Sequence, residues 1–270
     1  MAIVNRTPDS FYDRGATFTD EAALRRCDEV VSAGAAIVDI GGVKAGPGSL
    51  VDAAEEINRV VPLIAAVAAR HPGVLISVDT WRAEVAEEAI RAGAGLSNDT
   101  WAGHDPELAE VAGHHRVGYV CSHTGGSEPR TRPHRVHFDD VVADVIAETT
   151  RLAERAVAAG VPEERIFIDP THDFGKNTFH GLELLRRVDE LVATGWPVLM
   201  ALSNKDFVGE TVNRDVGGRV AGTLAATAWA AARGVAAFRA HEVAETVDVI
   251  RMTAAIAGTA TPLNTIRGLA

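Results

Sequence analysis

The stretch Val74-Leu75-Ile76-Ser77-Val78-Asp79 decides the fold. It is short, nearly all apolar, and ends in a carboxylate. A continuous apolar run of this length suits a strand buried on both faces, as parallel strands are. Seven further runs of the same kind occur, at Ala2–Asn5, Ala36–Ile40, Gly95–Asn98, Val117–Ser122, Ile166–Asp169, Val198–Leu202 and Ala236–Arg239. Between them lie alanine-rich segments with helical spacing: Glu21–Ala33, Leu50–Ala69, Ala83–Ala92, Asp105–Ala112, Val141–Ala159, Leu182–Ala193, Arg219–Arg233 and Ala244–Ile256. Several stop at a glycine just before the next strand (Ala33-Gly34, Ala92-Gly93, Ala159-Gly160, Arg233-Gly234), the left-handed stop of a helix C-terminus. Strands and helices alternate without a linker or low-complexity stretch, which predicts a single-domain α/β protein, a (β/α)8 TIM barrel spanning 1–270. An open doubly wound sheet is the structural alternative, but no Gly-rich dinucleotide turn follows the first strand.

The 270 residues are close to the roughly 250 typical of this barrel. With 26 Lys and Arg against 37 Asp and Glu, the net charge is −11. Such a chain is poorly suited to non-specific nucleic-acid binding, which rests on cations neutralising phosphates. A small anionic ligand stays open, because a local cluster can oppose the global sign. The two cysteines, Cys27 and Cys121, lie on different expected elements, and no zinc or redox spacing surrounds them, so they read as reduced core residues. No apolar run approaches the roughly 20 residues a membrane span needs. The start, MAIVNRTPDS, lacks the basic and then apolar regions of a signal peptide. A cytoplasmic protein is expected.

Function is carried by what terminates each strand. The ends are Asn5, Asp39, Asp79, Asn98, Ser122-His123, Asp169, Ser203 with Lys205, and Arg239 with His241. In this fold the C-terminal rim is where active sites are built. A single Asp before a helix, such as Asp79 before Thr80-Trp81-Arg82-Ala83, also reads as a helix cap. Capping does not explain polar ends on all strands, nor three cationic side chains on neighbouring ones. Asp79, Asn98 and Asp169 suit the donor–acceptor edge of a flat heterocycle. Asn5, Arg239 and His241 suit a phosphate or diphosphate, since a guanidinium forks onto phosphate oxygens. Strands eight and one are neighbours in a closed barrel, so these three converge.

The motifs go further. Asn5-Arg6-Thr7-Pro8-Asp9-Ser10-Phe11, Asp39-Ile40-Gly41-Gly42, Ser77-Val78-Asp79-Thr80, Asn98-Asp99, Asp169-Pro170 with Asp173-Phe174-Gly175-Lys176, Ser203-Asn204-Lys205, Gly222–Ala226 and Arg239-Ala240-His241-Glu242-Val243 follow in order along the chain. In this they resemble the strand ends of the dihydropteroate synthase family. The resemblance implies a transferase of folate biosynthesis that joins 6-hydroxymethyl-7,8-dihydropterin diphosphate to p-aminobenzoate and releases pyrophosphate. It implies that Asp79, Asn98, Asp169, Phe174 and Lys205 bind the pterin. Asn5, Arg239 and His241 would hold the diphosphate, with Mg2+ near Asn5. Asp13, Lys205 and Arg239 would be the catalytic residues, Asp13 lying near the developing cation. It also implies a homodimer through the later helices, with Thr227, Trp229 and Ala230 on an apolar face.

The departures from the family pattern cluster. After D-x-G-G, the family's E-S-T-R-P-G is here Val43-Lys44-Ala45-Gly46-Pro47-Gly48. Asn204 and Asp206 flank Lys205 where the family shows S-R-K-[SR], Ser122-His123-Thr124-Gly125 replaces M-H-M-Q, and Thr171-His172-Asp173 replaces a small G-x-G. Most of these positions belong to the p-aminobenzoate side in the family. The expectation is a synthase-type transferase with reduced activity or a different amine acceptor. The alternative is an inactive paralogue that binds a pterin or phosphorylated ligand without making dihydropteroate. A methyltransferase module for a methylated folate is a third class, disfavoured by the diphosphate residues. The segment Ser127–Phe138, with Arg130, Arg132, His134, Arg135 and His137, reads as a solvated basic loop or as a cover that replaces the lost loop arginines.

Overall fold

The structure is a computed structural model, and it describes residues 1–7, 19–131 and 137–267. The strands are β1 (Ala2–Asn5), β2 (Ile37–Gly41), β3 (Leu75–Asp79), β4 (Leu96–Asp99), β5 (Gly118–Ser122), β6 (Ile166–Asp169), β7 (Leu199–Met200) and β8 (Ala237–Phe238). The helices are α1 (Asp20–Ser32), α2 (Ala53–Arg70), α3 (Ala83–Arg91), α4 (Glu107–His114), α5 (Val141–Ala158), α6 (Thr178–Arg186), α7 (Val188–Val192), α8 (Asp206–Val212), α9 (Val220–Ala231) and α10 (Val243–Ile256). β1 to β6 form one parallel sheet in sequence order, and β7 pairs with β8. Two parallel bridges close the ring, Ile168 to Val198 and Ala2 to Ala240. At the second, Ile3 N donates to Ala240 O at 3.1 Å and Ala240 N to Met1 O at 2.9 Å. The fold is the expected TIM barrel.

The period of two along each strand builds the site. Val4, Val38, Ile40, Ile76, Val78, Tyr119, Cys121, Ile166, Ile168, Met200, Leu202 and Phe238 join the large core between strands and helices. The alternate positions point into the barrel. Near its floor they are apolar: Leu96, Val120 and Leu199 form a plug with Met1, Ile37, Phe167 and Ala237. The next inward positions, Asp39, Asn98, Asp169 and Arg239, are polar. A dry plug below and polar groups above make a cup that opens at the C-terminal rim.

Helix ends follow local chemistry. Asp52 caps α2 through Glu55 N at 2.8 Å, and Asp140 caps α5 through Val142 N and Ala143 N. After α3 and α5 the chain turns at Gly93 and Gly160, at φ 120° and 103°. Three expectations differ. β2 continues to Gly41, so Asp39 lies inside the strand rather than at its end. The helix expected over Leu182–Ala193 starts earlier and breaks at Arg187, whose guanidinium serves Asp140, Glu183 and Glu190. α8 was not anticipated, because its seven residues are too few for a periodic signal.

Candidate functional site

A cavity of about 300 Å3 opens at the rim where β7, β8 and β1 meet. Asn5, Asp79, Lys205, Arg239 and His241 line it, together with Val43, Lys44, Ala45 and Gly46 of the β2–α2 loop. Sequence reasoning had placed all five of the former in one site, and the fold brings them together. Asn98 and Asp169 lie deeper, 2% and 5% exposed. Phe174 packs edge-on against the Trp101 ring, centroids 4.6 Å apart. Asp13 lies outside the described residues.

The centre of the site is a network of strand residues. Arg239 donates from Nε to Asp39 Oδ2 at 2.5 Å and from Nη2 to Asp79 Oδ2 at 2.6 Å. Asp39, fully buried, also accepts from Ser77 Oγ at 2.5 Å and from Asn98 Nδ2 at 3.3 and 3.2 Å. Thr100 Oγ1 donates to Asp79 Oδ1 at 3.1 Å. Asp79 does not cap α3. That task falls to Asp105, whose Oδ2 accepts from Ala83 N at 2.8 Å. Burial pushes Asp79 up to about 7, with Arg239 opposing and Asp39 adding to the shift. Burial likewise raises Asp169 to about 6, against a hydrogen bond from Thr171 N and the charge of Lys205. Burial alone would lower the Arg239 guanidinium, but the charges of Asp39 and Asp79 outweigh it and hold the group above its ordinary value. Arg239 is therefore a cation throughout the accessible pH range.

The opposite side of the rim is built from loops. Lys205 Nζ pairs with Asp173 Oδ2 at 2.5 Å, a carboxylate that the family pattern lacks. Asn204 sits at φ 56° and is buried; its Nδ2 donates to Glu242 Oε1 at 2.7 Å. Ser203 Oγ donates to Glu242 Oε2, also at 2.7 Å. Asp206 is paired with Arg219 Nη1 at 2.8 Å, and the same nitrogen reaches Asn204 O at 2.8 Å. Asp173, Asn204 and Asp206, which depart from the family pattern, thus line the cavity while pairing with internal partners.

The β6–α6 loop is held from within. Thr171, β-branched, stands at φ 48°, a conformation that suits glycine. Its N donates to Asp169 Oδ1 at 2.7 Å, and its Oγ1 accepts from His123 N at 3.3 Å. Lys176 Nζ reaches His123 Nδ1 (2.8 Å) and the carbonyls of His123, Thr171 and Phe174 (3.2, 3.1 and 3.0 Å). Burial lowers this ammonium to about 7, against the charges of Asp169, Asp173 and Asp144. Lys176 is a fastener of the β5 and β6 loops. Sequence reasoning did not foresee that role, nor those of Arg219, Glu242 and Asp39 as internal partners. Of the basic segment, Arg130 and His137 are described and do not line the cavity, while Arg132, His134 and Arg135 lie outside the described residues.

Comparison with known proteins gives these observations a frame. Residues 1–241 match the model of the pterin binding enzyme family. An inactive dihydropteroate synthase 2 of Mycobacterium leprae (strain TN) is 61% identical, over 100% of this chain and 94% of that protein. The chain belongs to the dihydropteroate synthase family. The dihydropteroate synthase of Bacillus subtilis (strain 168) is 37% identical over 93% of this chain and 86% of its own length. The solved dihydropteroate synthase of Yersinia pestis, in complex with a sulfonamide drug, superposes with a TM-score of 0.90 at 35% identity, covering 96% of this chain and 94% of that one. These relatives correct one expectation, that of a probable transferase. The relative at 61% identity along the whole chain is an inactive dihydropteroate synthase 2, and the synthase of B. subtilis stands much further off. Within this member of the family, the physical counterpart is the loop side, where Ala45, Gly46, Asn204 and Asp206 stand in place of the usual residues.

Proposed function

We propose that the protein binds a pterin, in free or phosphorylated form, and does not condense it with p-aminobenzoate. One observation carries this reading. Asp79, Lys205, Arg239, Asn5 and His241 share one cavity, while the β2–α2 and β7–α8 loops beside it present Ala45, Gly46 and an Asp206 already neutralised by Arg219. In this reading the Asp79 carboxylate receives the N–H edge of the pterin ring, with Asn98 and Asp169 as further polar groups below it and Phe174 at its side. Asn5, Arg239 and His241 face the phosphate end. Ala45 and Gly46 carry no side chain that could fork onto a benzoate carboxylate, and an unpaired charge in a desolvated site costs several kcal/mol.

Among the described residues, no group of three or more His, Cys, Asp or Glu could hold a metal ion. Mg2+ belongs to the proposal only as the counterion of a diphosphate, which it commonly accompanies while keeping several waters, with Asn5 as the nearby protein ligand. A homodimer and a cytoplasmic location are part of the same reading. α9 has no charged residue over Val220–Ala231, and Trp229 on it is 46% exposed, whereas Thr227 and Ala230 face the barrel. No helix among the described residues is long and apolar enough to cross a membrane.

The test is incubation of the purified protein with dihydropterin diphosphate, Mg2+ and p-aminobenzoate, following pyrophosphate and dihydropteroate, beside calorimetry with pterin ligands. Binding without dihydropteroate is the expected result. Dihydropteroate formation at a synthase-like rate would overturn the inactive half of the proposal, and absence of any pterin binding would overturn the other half.

A further inference from the structure

Phe174 is the side wall of the pterin slot in the reading above, yet no strand carries it. It stands on the β6–α6 loop, past the end of β6 at Asp169. That loop is wound on one nitrogen. Phe174 N donates to Thr171 O at 3.2 Å. Lys176 Nζ lies 3.1 Å from the same Thr171 carbonyl and 3.0 Å from that of Phe174. The turn that carries the ring is therefore closed by its own backbone and then gripped at both ends by one side chain. Nζ is anchored outside the loop as well, on His123 Nδ1 at 2.8 Å and His123 O at 3.2 Å. Because the lysine nitrogen donates to Nδ1, the His123 ring carries its proton on Nε2, which donates to Asp144 Oδ1 at 2.7 Å. His123 is 1% exposed, so a buried ring held at both nitrogens ties the Phe174 turn to α5. The ring of Phe174 is met by another loop: Trp101 packs edge-on against it, and Asp99 holds that loop through Trp101 N at 3.0 Å and Gly103 N at 2.7 Å.

Resting on the pterin reading above, we propose that Lys176 is a positioning residue of the heterocycle site, which acts by setting where the Phe174 ring stands. Its own nitrogen has nothing to offer a ligand. An ammonium has three donors, and Nζ already faces four acceptors, the farthest at 3.2 Å. The arrangement also explains why a lysine stands here. A compact ammonium on a flexible stem can turn its protons towards acceptors that converge from several directions, whereas a guanidinium presents a planar fork of fixed geometry. A wall built on a loop holds its place only if the loop is fastened, and supporting contacts of this kind set how well a binding group is held.

The test is a double-mutant cycle on the full chain, read by calorimetry with a bare, unphosphorylated pterin. Phe174→Ala measures the wall. Lys176→Met keeps the length of the stem and removes every hydrogen bond of Nζ. Residues that act through one another are strongly non-additive in such cycles. With Phe174 in place, Lys176→Met is expected to weaken pterin binding by about tenfold. With Phe174→Ala already made, the same change is expected to cost less than about twofold. A lysine that served only the stability of the fold would lower affinity by the same factor in both backgrounds, and that result overturns the proposal. Unchanged affinity in either single variant overturns it too. Where Lys176→Met does not fold, Lys176→Arg completes the cycle, since it keeps the charge but not the geometry; the same loss is expected, and equal losses in both backgrounds again overturn the proposal. Failure of the wild type to bind the pterin at all sinks the pterin reading itself, a different outcome from binding without coupling.

Discussion

The two sides of the rim are made differently. On one side, Asp39, Asp79 and Asn98 sit on strands, at inward positions set by register (Asp39 opposite Ser77, Asp79 opposite Asn98), and Arg239 directly follows β8. On the other, Asp173, Asn204, Lys205, Asp206 and Arg219 sit on loops or helix starts and pair among themselves or with Glu242. A strand residue cannot be exchanged without disturbing a buried network that closes on Arg239. A loop residue can be exchanged, because its new partner is another loop residue and the barrel beneath is untouched. The family pattern survives at Asp39, Asp79, Asn98 and Arg239, and most of its departures fall on the loops, where Lys205 is kept. The difference teaches that a barrel can rewrite the loops of its rim while the buried strand network beneath them stays intact.

The sharpest break is Asp39→Ala. It strips Arg239 and Asn98 of their shared buried acceptor, and removing one partner of a buried ion pair costs about 3–5 kcal/mol. Urea unfolding reads the loss; a cost below about 1 kcal/mol shows that the strand side is as replaceable as the loops. Next is Asp79→Asn, which keeps the shape and removes the charged acceptor. Pterin affinity is expected to fall about a hundredfold or more, and unchanged affinity removes Asp79 from the binding site.

The third effect is a pH dependence. Asp79 is raised to about 7 in the free protein, so it is ionised above that pH and protonated below it. A raised carboxyl binds protons in the folded state that the unfolded chain has already released. Its contribution to stability therefore falls as pH rises from about 4 through 7. Ligand affinity runs the other way, because the N–H edge needs the ionised form. A group titrating at about 7 predicts roughly thirtyfold weaker pterin binding at pH 5.5 than at pH 8. A flat affinity profile between those pH values contradicts the assignment.

Smaller effects come from the loops. Asp173→Gly releases Lys205 from a pair whose acid is 34% exposed. A partly exposed pair is worth up to about 1 kcal/mol, so affinity for a phosphorylated pterin is expected to rise by no more than about fivefold. A loss of affinity instead would mean that Asp173 itself touches the ligand. Thr171→Gly relieves a left-handed β-branched residue, worth on the order of 1–2 kcal/mol, and removes the hydroxyl contact with His123. The two oppose, and thermal unfolding is expected to show a change within about 1 kcal/mol.

Much of this was legible in the chain. The plain apolar runs predicted parallel strands, and their polar last residues marked the rim. Asn5, Asp79, Lys205, Arg239 and His241 were named from strand ends alone, and they line one cavity. Asn98 was named too, but its amide is spent on Asp39, a partner 59 residues away. Asp79 reads as a helix cap in the sequence, but Asp105 holds that place. Lys176 stood in a motif, yet nothing local announces that its ammonium would collect three carbonyls and a histidine. The short α8 and the break at Arg187 escaped because neither changes the helical period for long enough to register.

The sequence by itself determined the barrel, the direction of its open end and the polar character of the rim. These follow from periodicity, which is a property of neighbours along the chain: alternate residues on a strand face opposite ways, and glycine stops a helix. Only the tertiary structure decided which polar groups are already taken. Arg239 meets Asp79 across 160 positions and Asp39 across 200. No local pattern encodes which carboxylates of the cup a guanidinium will meet. That choice is made by barrel closure, which brings the last strand beside the first and aims Arg239 into the cup.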